Sequence, residues 1–106
     1  MATYYEADSR AWKEIHPGVF VSDLHRYATG GGAALFRLEP GATLPEHNHP
    51  TGEHGYVIEG SGMFGTYSLS FGDAFWMEVD EKHEIRALTR LVFFATSLPR
   101  TDERRS

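Results

Sequence analysis

Chain breakers recur in this sequence at intervals too short for helices. Pro17-Gly18, Gly30-Gly31-Gly32, Pro40-Gly41, Pro50-Thr51-Gly52, Gly60, Gly65 and Phe71-Gly72-Asp73 cut it into runs of strand length. No stretch shows the 3.6-residue periodicity of an amphipathic helix. An all-β fold follows, a sandwich or small barrel. Strands are expected at 19–21, 33–38, 74–77, 83–88 and 91–95, with a hairpin of 61–64 and 66–69 turning near Gly65. Residues 1–15 form a mixed opening segment in which 9–12 could make one helical turn. Tyr4, Tyr5 and Trp12 are candidates there to cover an open end of the barrel.

At 106 residues the chain suffices for one core and not for two. The expected division is a single domain over 1–98 and a polar tail over 99–106. A net charge of −5 lacks the basic surface that nucleic acid requires. No apolar run approaches the roughly 20 residues that span a bilayer. The first residues have neither the basic start nor the apolar stretch of a secretory signal, so a cytoplasmic protein is expected. There are no cysteines, which removes disulfides, thiolate zinc sites and a cysteine nucleophile together. Gly30-Gly31-Gly32 has no lysine after it and is no phosphate loop.

The chemistry is concentrated in residues 41–60. His47, His49 and Glu53 are all metal-ligand types, and the two histidines are two positions apart. On an extended strand both imidazoles leave the same face, their Cα atoms roughly 7 Å apart. On a helix they would diverge by about 200°, so the pair makes sense as a chelate only on a strand or loop. Pro50-Thr51-Gly52 can fold the chain back so that Glu53 rejoins the imidazoles. His16 and His25 have no ligand-type neighbours at chelating spacing and read as structural or surface residues.

These spacings carry a resemblance. Gly41, His47, His49, Glu53 and Gly60 stand at the separations of the first motif of the cupin family. Gly72-Asp73 and His83 stand at the start and end of the second, within 72–87. Glu78 occupies the place of a usual proline there, and Asp80 that of a usual glycine. The resemblance implies a small β-barrel or jelly roll with His47, His49, Glu53 and His83 as metal ligands. Trp12, Pro17-Gly18-Val19, His49-Pro50 and Val57-Ile58-Glu59-Gly60 resemble the ChrR-type subgroup, which includes anti-sigma regulatory domains and dioxygenases of diketones or hydroxylated aryl ketones. The regulatory form pairs its cupin with a cysteine-bearing zinc domain, for which this chain has no cysteine and no room.

Three imidazoles and a carboxylate suit Fe, Mn, Ni, Co, Cu or Zn, and ligand type alone does not choose among them. An octahedral ion with four protein ligands keeps two positions for substrate and water or O₂. A zinc ion with the same four is closed, which suits structure or sensing. Two functions are therefore expected: a metal-dependent dioxygenase acting on a small oxygen-bearing molecule, or a metal- or ligand-sensing module working through a partner. If His83 points inward, Ile85 and Ala87 follow it and give the site an apolar wall. Phe75 and Met77 share one strand face and Trp76 takes the other. Phe75, Met77, Ile85, His54 and Tyr56 are the candidate pocket or outer-shell residues. The run 91–95, almost wholly apolar, is expected to be buried on both sides and, if at a sheet edge, to join two copies into a homodimer.

Overall fold

The apolar run near the C-terminus becomes the strand around which the molecule is built. The structure, a computed structural model, describes residues 1–47 and 51–99. After a short 3₁₀ turn at Ala7–Ser9 come ten strands: β1 Lys13–His16, β2 Val19–Arg26, β3 Gly32–Leu38, β4 Thr43–Leu44, β5 Glu53–Glu59, β6 Ser61–Phe64, β7 Tyr67–Ser70, β8 Ala74–Met77, β9 Ile85–Ala87 and β10 Leu91–Ser97. They form two antiparallel sheets, β1-β2-β3-β10-β5-β8 and β4-β9-β6-β7. This is the all-β fold that the turn spacing predicts, in the jelly-roll form that the resemblance implies. No helix among the described residues is long and apolar enough to cross a membrane.

β10 lies between β3 and β5, with both backbone edges paired. The edge contact expected of it is therefore not available, because a strand bonded on both sides has no free ladder to offer a second copy. Nor is it buried on both sides. Leu91, Phe93 and Ala95 face inward and are buried, whereas the outward Val92 and Phe94 are only half-buried.

The inward side chains change size along this strand. Leu91 lies opposite Leu38 on β3, Phe93 opposite Phe36, Ala95 opposite Ala34 and Ser97 opposite Gly32. At the large end Phe93 stacks on Phe36, ring centroids 5.0 Å apart, and meets Phe64 and Phe75 edge-on at 5.5 and 5.9 Å. Val19, Leu38, Val57, Ile85 and Leu91 complete that core. At the small end the facing pairs leave space unfilled.

The N-terminal segment departs from expectation. Its helical turn falls at Ala7–Ser9, and the chain is already a strand by Lys13, paired with β2. Trp12 covers the outer face of the larger sheet instead of an open end. The Arg37 guanidinium sits 4.6 Å from the Trp12 ring and 4.6 Å from Phe20, which fixes the ring there. The hairpin of β6 and β7 forms as read, Phe64 opposite Tyr67 with Gly65 in the turn at φ 63. From Arg100 onward the polar tail lies outside the described residues.

Gly55 shows how tightly the inner face is shaped. It lies between Ala95 and Phe75 in register, and a Cβ there would overlap the Phe75 ring. Phe75 can pack against Phe64 and Phe93 only because position 55 has no side chain. Gly55→Ala is expected to cost about 1–3 kcal/mol through overpacking, read as a lower urea midpoint at unchanged slope. An unchanged midpoint would mean that Phe75 does not lie across Gly55.

Candidate metal centre

The ligand-type residues arrive at the small-residue end of the sheets from three directions. After β4 ends at Leu44 the chain continues through Pro45 and Glu46 to His47. The His47 Nδ1 lies 3.1 Å from the Pro45 carbonyl oxygen. A carbonyl only accepts, so Nδ1 carries the proton and the neutral ring has its lone pair at Nε2. Glu53 opens β5 opposite Met77. It is half-buried, and loss of water around it pushes its carboxyl up to about 7.

His83 comes from the loop before β9. That loop turns at Glu78–Glu81, where the Glu81 amide donates to the Glu78 carbonyl and the Glu78 amide to the Glu81 carboxylate. Asp80, in the place of the usual glycine, takes φ 65. This left-handed conformation is one that Asp tolerates better than most side chains, so the turn survives the replacement. The imidazole of His83 is held below its ordinary pKa by burial, with Glu81 opposing and nearby His47 reinforcing the shift. Its Nε2 is buried and has no hydrogen-bond partner among the described residues.

A cleft of about 670 Å³ opens beside His47 and Glu53, and His83 is not among the residues that line it. Its floor is made of the small residues Gly32, Ala34, Ala95 and Ser97, with Phe36 and Leu44 beside them, and His47 and Glu53 line one side. The structure thus brings His47 and Glu53 to one cleft and places His83 within electrostatic reach of His47. His49 lies outside the described residues. Among the described residues, no three His, Asp or Glu side chains are clustered closely enough to hold an ion as they stand. The donors nevertheless suit a metal in kind. They are nitrogen and oxygen only, one imidazole nitrogen is buried without a partner, and burial favours the neutral imidazole that a metal requires.

The remaining expected residues are placed as follows. Phe75, Met77 and Ile85 face the interior, Met77 and Ile85 fully buried and Phe75 within the aromatic cluster; none of them lines the cleft. Ala87 follows Ile85 inward while Glu84 and Arg86 face out. His54 and Tyr56 are on the outer face: His54 meets Trp76 edge-on at 5.5 Å, and Tyr56 is 47% exposed. Lys13, His16, Asp23, His25 and Arg26 line the cleft opposite His47 and Glu53, and none of them was singled out by spacing for that place. The small residues 31–34, which clear the floor beneath them, were the available signal.

The family model of the ChrR cupin-like domain matches residues 1–97. Among curated proteins none matches the chain in sequence. Solved structures share the fold at low identity. An RmlC-like cupin from Shewanella frigidimarina is 19% identical, with a TM-score of 0.83 over 97% of this chain and 96% of that one. The anti-sigma ChrR of Rhodobacter sphaeroides, solved in complex with SigE, gives 20% identity and a TM-score of 0.76 over 88% of this chain and 51% of that one. An acetylacetone dioxygenase from Acinetobacter johnsonii gives 12% and 0.75 over 97% and 79%. With the family match covering nearly the whole chain, this protein belongs to the ChrR cupin-like family.

Proposed function

We propose that His47, His49, Glu53 and His83 hold a divalent transition metal ion, and that the cleft beside them admits a small oxygen-bearing substrate, a diketone or hydroxyaryl ketone, for oxygenation. The observation that carries the reading is the buried His83 Nε2 without a hydrogen-bond partner. A buried polar nitrogen costs free energy unless something satisfies it, and a metal ion is the partner that its position in the motif calls for. The bound ion would supply Lewis-acid and redox chemistry. The chain's own residues prepare for it. The Pro45 carbonyl orients the His47 ring, burial favours the neutral form of His83, and the small floor gives an apolar body a place to lie. The acetylacetone dioxygenase of the same fold supports this substrate class.

The second reading is a metal- or ligand-sensing module that acts through a protein partner. It is favoured by the likeness to ChrR, which spans 88% of this chain. Metal content separates the two. Stoichiometric iron, with O₂ uptake on diketones, supports the enzyme. Tightly held zinc with no turnover supports the sensor.

For either reading, His83→Ala and His49→Ala should weaken metal binding by more than about 100-fold, beyond what loss of an outer partner alone reaches. Elemental analysis of untagged protein reads this, with circular dichroism as the check on folding. His54→Ala, on the outer face, should keep full occupancy. Full occupancy in His83→Ala would remove it from the ligand set.

The raised carboxyl of Glu53 makes a second prediction, for the metal-free protein. The folded state holds this proton more tightly than the unfolded chain, whose carboxyl has the ordinary value of 4.5. The associated stability is complete below 4.5 and is lost as pH rises through about 7. Glu53→Gln should therefore be more stable than the parent at pH 8, by on the order of 2 kcal/mol, and close to it at pH 4. Urea titrations at the two pH values measure the difference. A gap of equal size at both would show that the carboxyl is not desolvated.

A further inference from the structure

The floor of the cleft can be followed across the larger sheet. Arg26 on β2 pairs with Gly32 on β3 and Gly32 with Ser97 on β10; on β5 beside them His54 pairs with Thr96, and Glu53 is the next residue. The next inward row runs Asp23, Ala34, Ala95, Gly55. In both rows the positions between the ends carry nothing larger than a hydroxymethyl group. Three strand spacings, about 14 Å of backbone, separate Arg26 from Glu53. A small molecule fits along such a floor with one end at His47 and Glu53 and the other at β1 and β2.

That other end is cationic. Lys13 and Arg26 both line the cleft there, with His16 and His25 beside them and Asp23 as the one carboxylate. Lys13 makes no hydrogen bond or ion pair among the described residues. Arg26 meets Asp23 at 3.4 Å, but both side chains are largely in water, 70% and 53% exposed, and such a pair is weak. His25 is engaged by the Tyr5 hydroxyl at 2.8 Å. The remaining carboxylates of the cleft, Glu46 and Glu53, lie on the His47 side. Two cations against one carboxylate leave this end positive in a chain whose net charge is −5, and a concave wall concentrates that field.

We infer that the substrate carries a carboxylate, which Lys13 and Arg26 bind at the far end of the cleft from His47 and Glu53. The inference rests on the reading of the near end as a metal site for a dicarbonyl. An oxygen-bearing head lies at that site, an apolar body covers Ala34 and Ala95, and the anionic end meets the ammonium and guanidinium groups in charge-assisted hydrogen bonds.

The test is calorimetric titration of the full chain, reconstituted with Fe(II) and kept under nitrogen, with two probes. One is nonane-2,4-dione, a neutral 1,3-diketone with an alkyl body. The other is 6,8-dioxononanoate, the same diketone and body with a carboxylate in place of the terminal methyl group. The acid is expected to bind roughly tenfold more tightly, the size of one hydrogen bond to a charged group. That advantage should shrink with added salt and vanish in the Lys13→Gln/Arg26→Gln double variant. It should persist in Arg90→Gln, whose side chain pairs with Glu59 outside the cleft. Equal binding of the two probes overturns the carboxylate inference and leaves the metal-site reading standing. An advantage that survives in the double variant overturns the assignment to Lys13 and Arg26. Binding of neither probe to metal-loaded protein overturns the dicarbonyl reading and this inference with it.

Discussion

A gradient in side-chain size along two paired strands is the constraint from which the rest of the molecule follows. Leu91 and Phe93 face Leu38 and Phe36, and two positions further on Ala95 and Ser97 face Ala34 and Gly32. At the first end the sheets close on a core of interlocking rings, where burial of each large apolar side chain contributes about 1.5–3 kcal/mol. At the second end the facing side chains are too short to fill the space above them. The sandwich is thus sealed at one end and open at the other. Gly55 extends the same logic to the neighbouring strand, since its missing side chain lets Phe75 turn toward the packed end.

The open end is where polar groups enter the interior, and the gradient decides how much water they keep. Glu53 is close enough to the core to lose solvent, and its carboxyl rises to about 7. His83 is driven toward the neutral form by the same cause. Both shifts come from desolvation before charge, which marks the site as one where the fold takes polar atoms out of water. A packed core tolerates such atoms only when they are satisfied, and under the proposed reading a bound ion would be the partner of the buried His83 Nε2.

Much of this was legible in the sequence, because turn residues act locally. Gly65 in its hairpin, the strand at 74–77 and the inward alternation of Ile85 and Ala87 need only neighbours in sequence to be read. The replacement of glycine by Asp80 read only as a departure from the motif; the turn survives it because Asp is among the few residues that accept a positive φ. What escaped was set by distant pairing. β1 carries no buried residue, so it shows no apolar alternation and becomes a strand only because β2 lies beside it. Trp12 lies on the outer face because Arg37, far along the chain, draws it there. Whether β10 is central or at an edge is a matter of sheet order, on which its composition is silent. The cationic side of the cleft was hidden for the same reason: Lys13 and Arg26 share a wall only through the pairing of β1, β2 and β3.

A ligand set read from spacing and a cleft read from structure constrain function at different levels. The same four metal-ligand types serve oxygenases and sensors, because both need the ion held and neither need dictates what surrounds it. The surroundings differ in what they must admit. A closed structural ion requires only that its ligands be packed, and a filled wall of leucine and phenylalanine would serve it best. Here the strands that pass beneath Glu53 give up side-chain volume at Gly32, Ala34, Ala95 and Ser97, and with it the burial energy that larger residues would have contributed. Stability alone gives no reason for that loss at four facing positions. A space kept open for a second molecule, as the proposed reading requires, does.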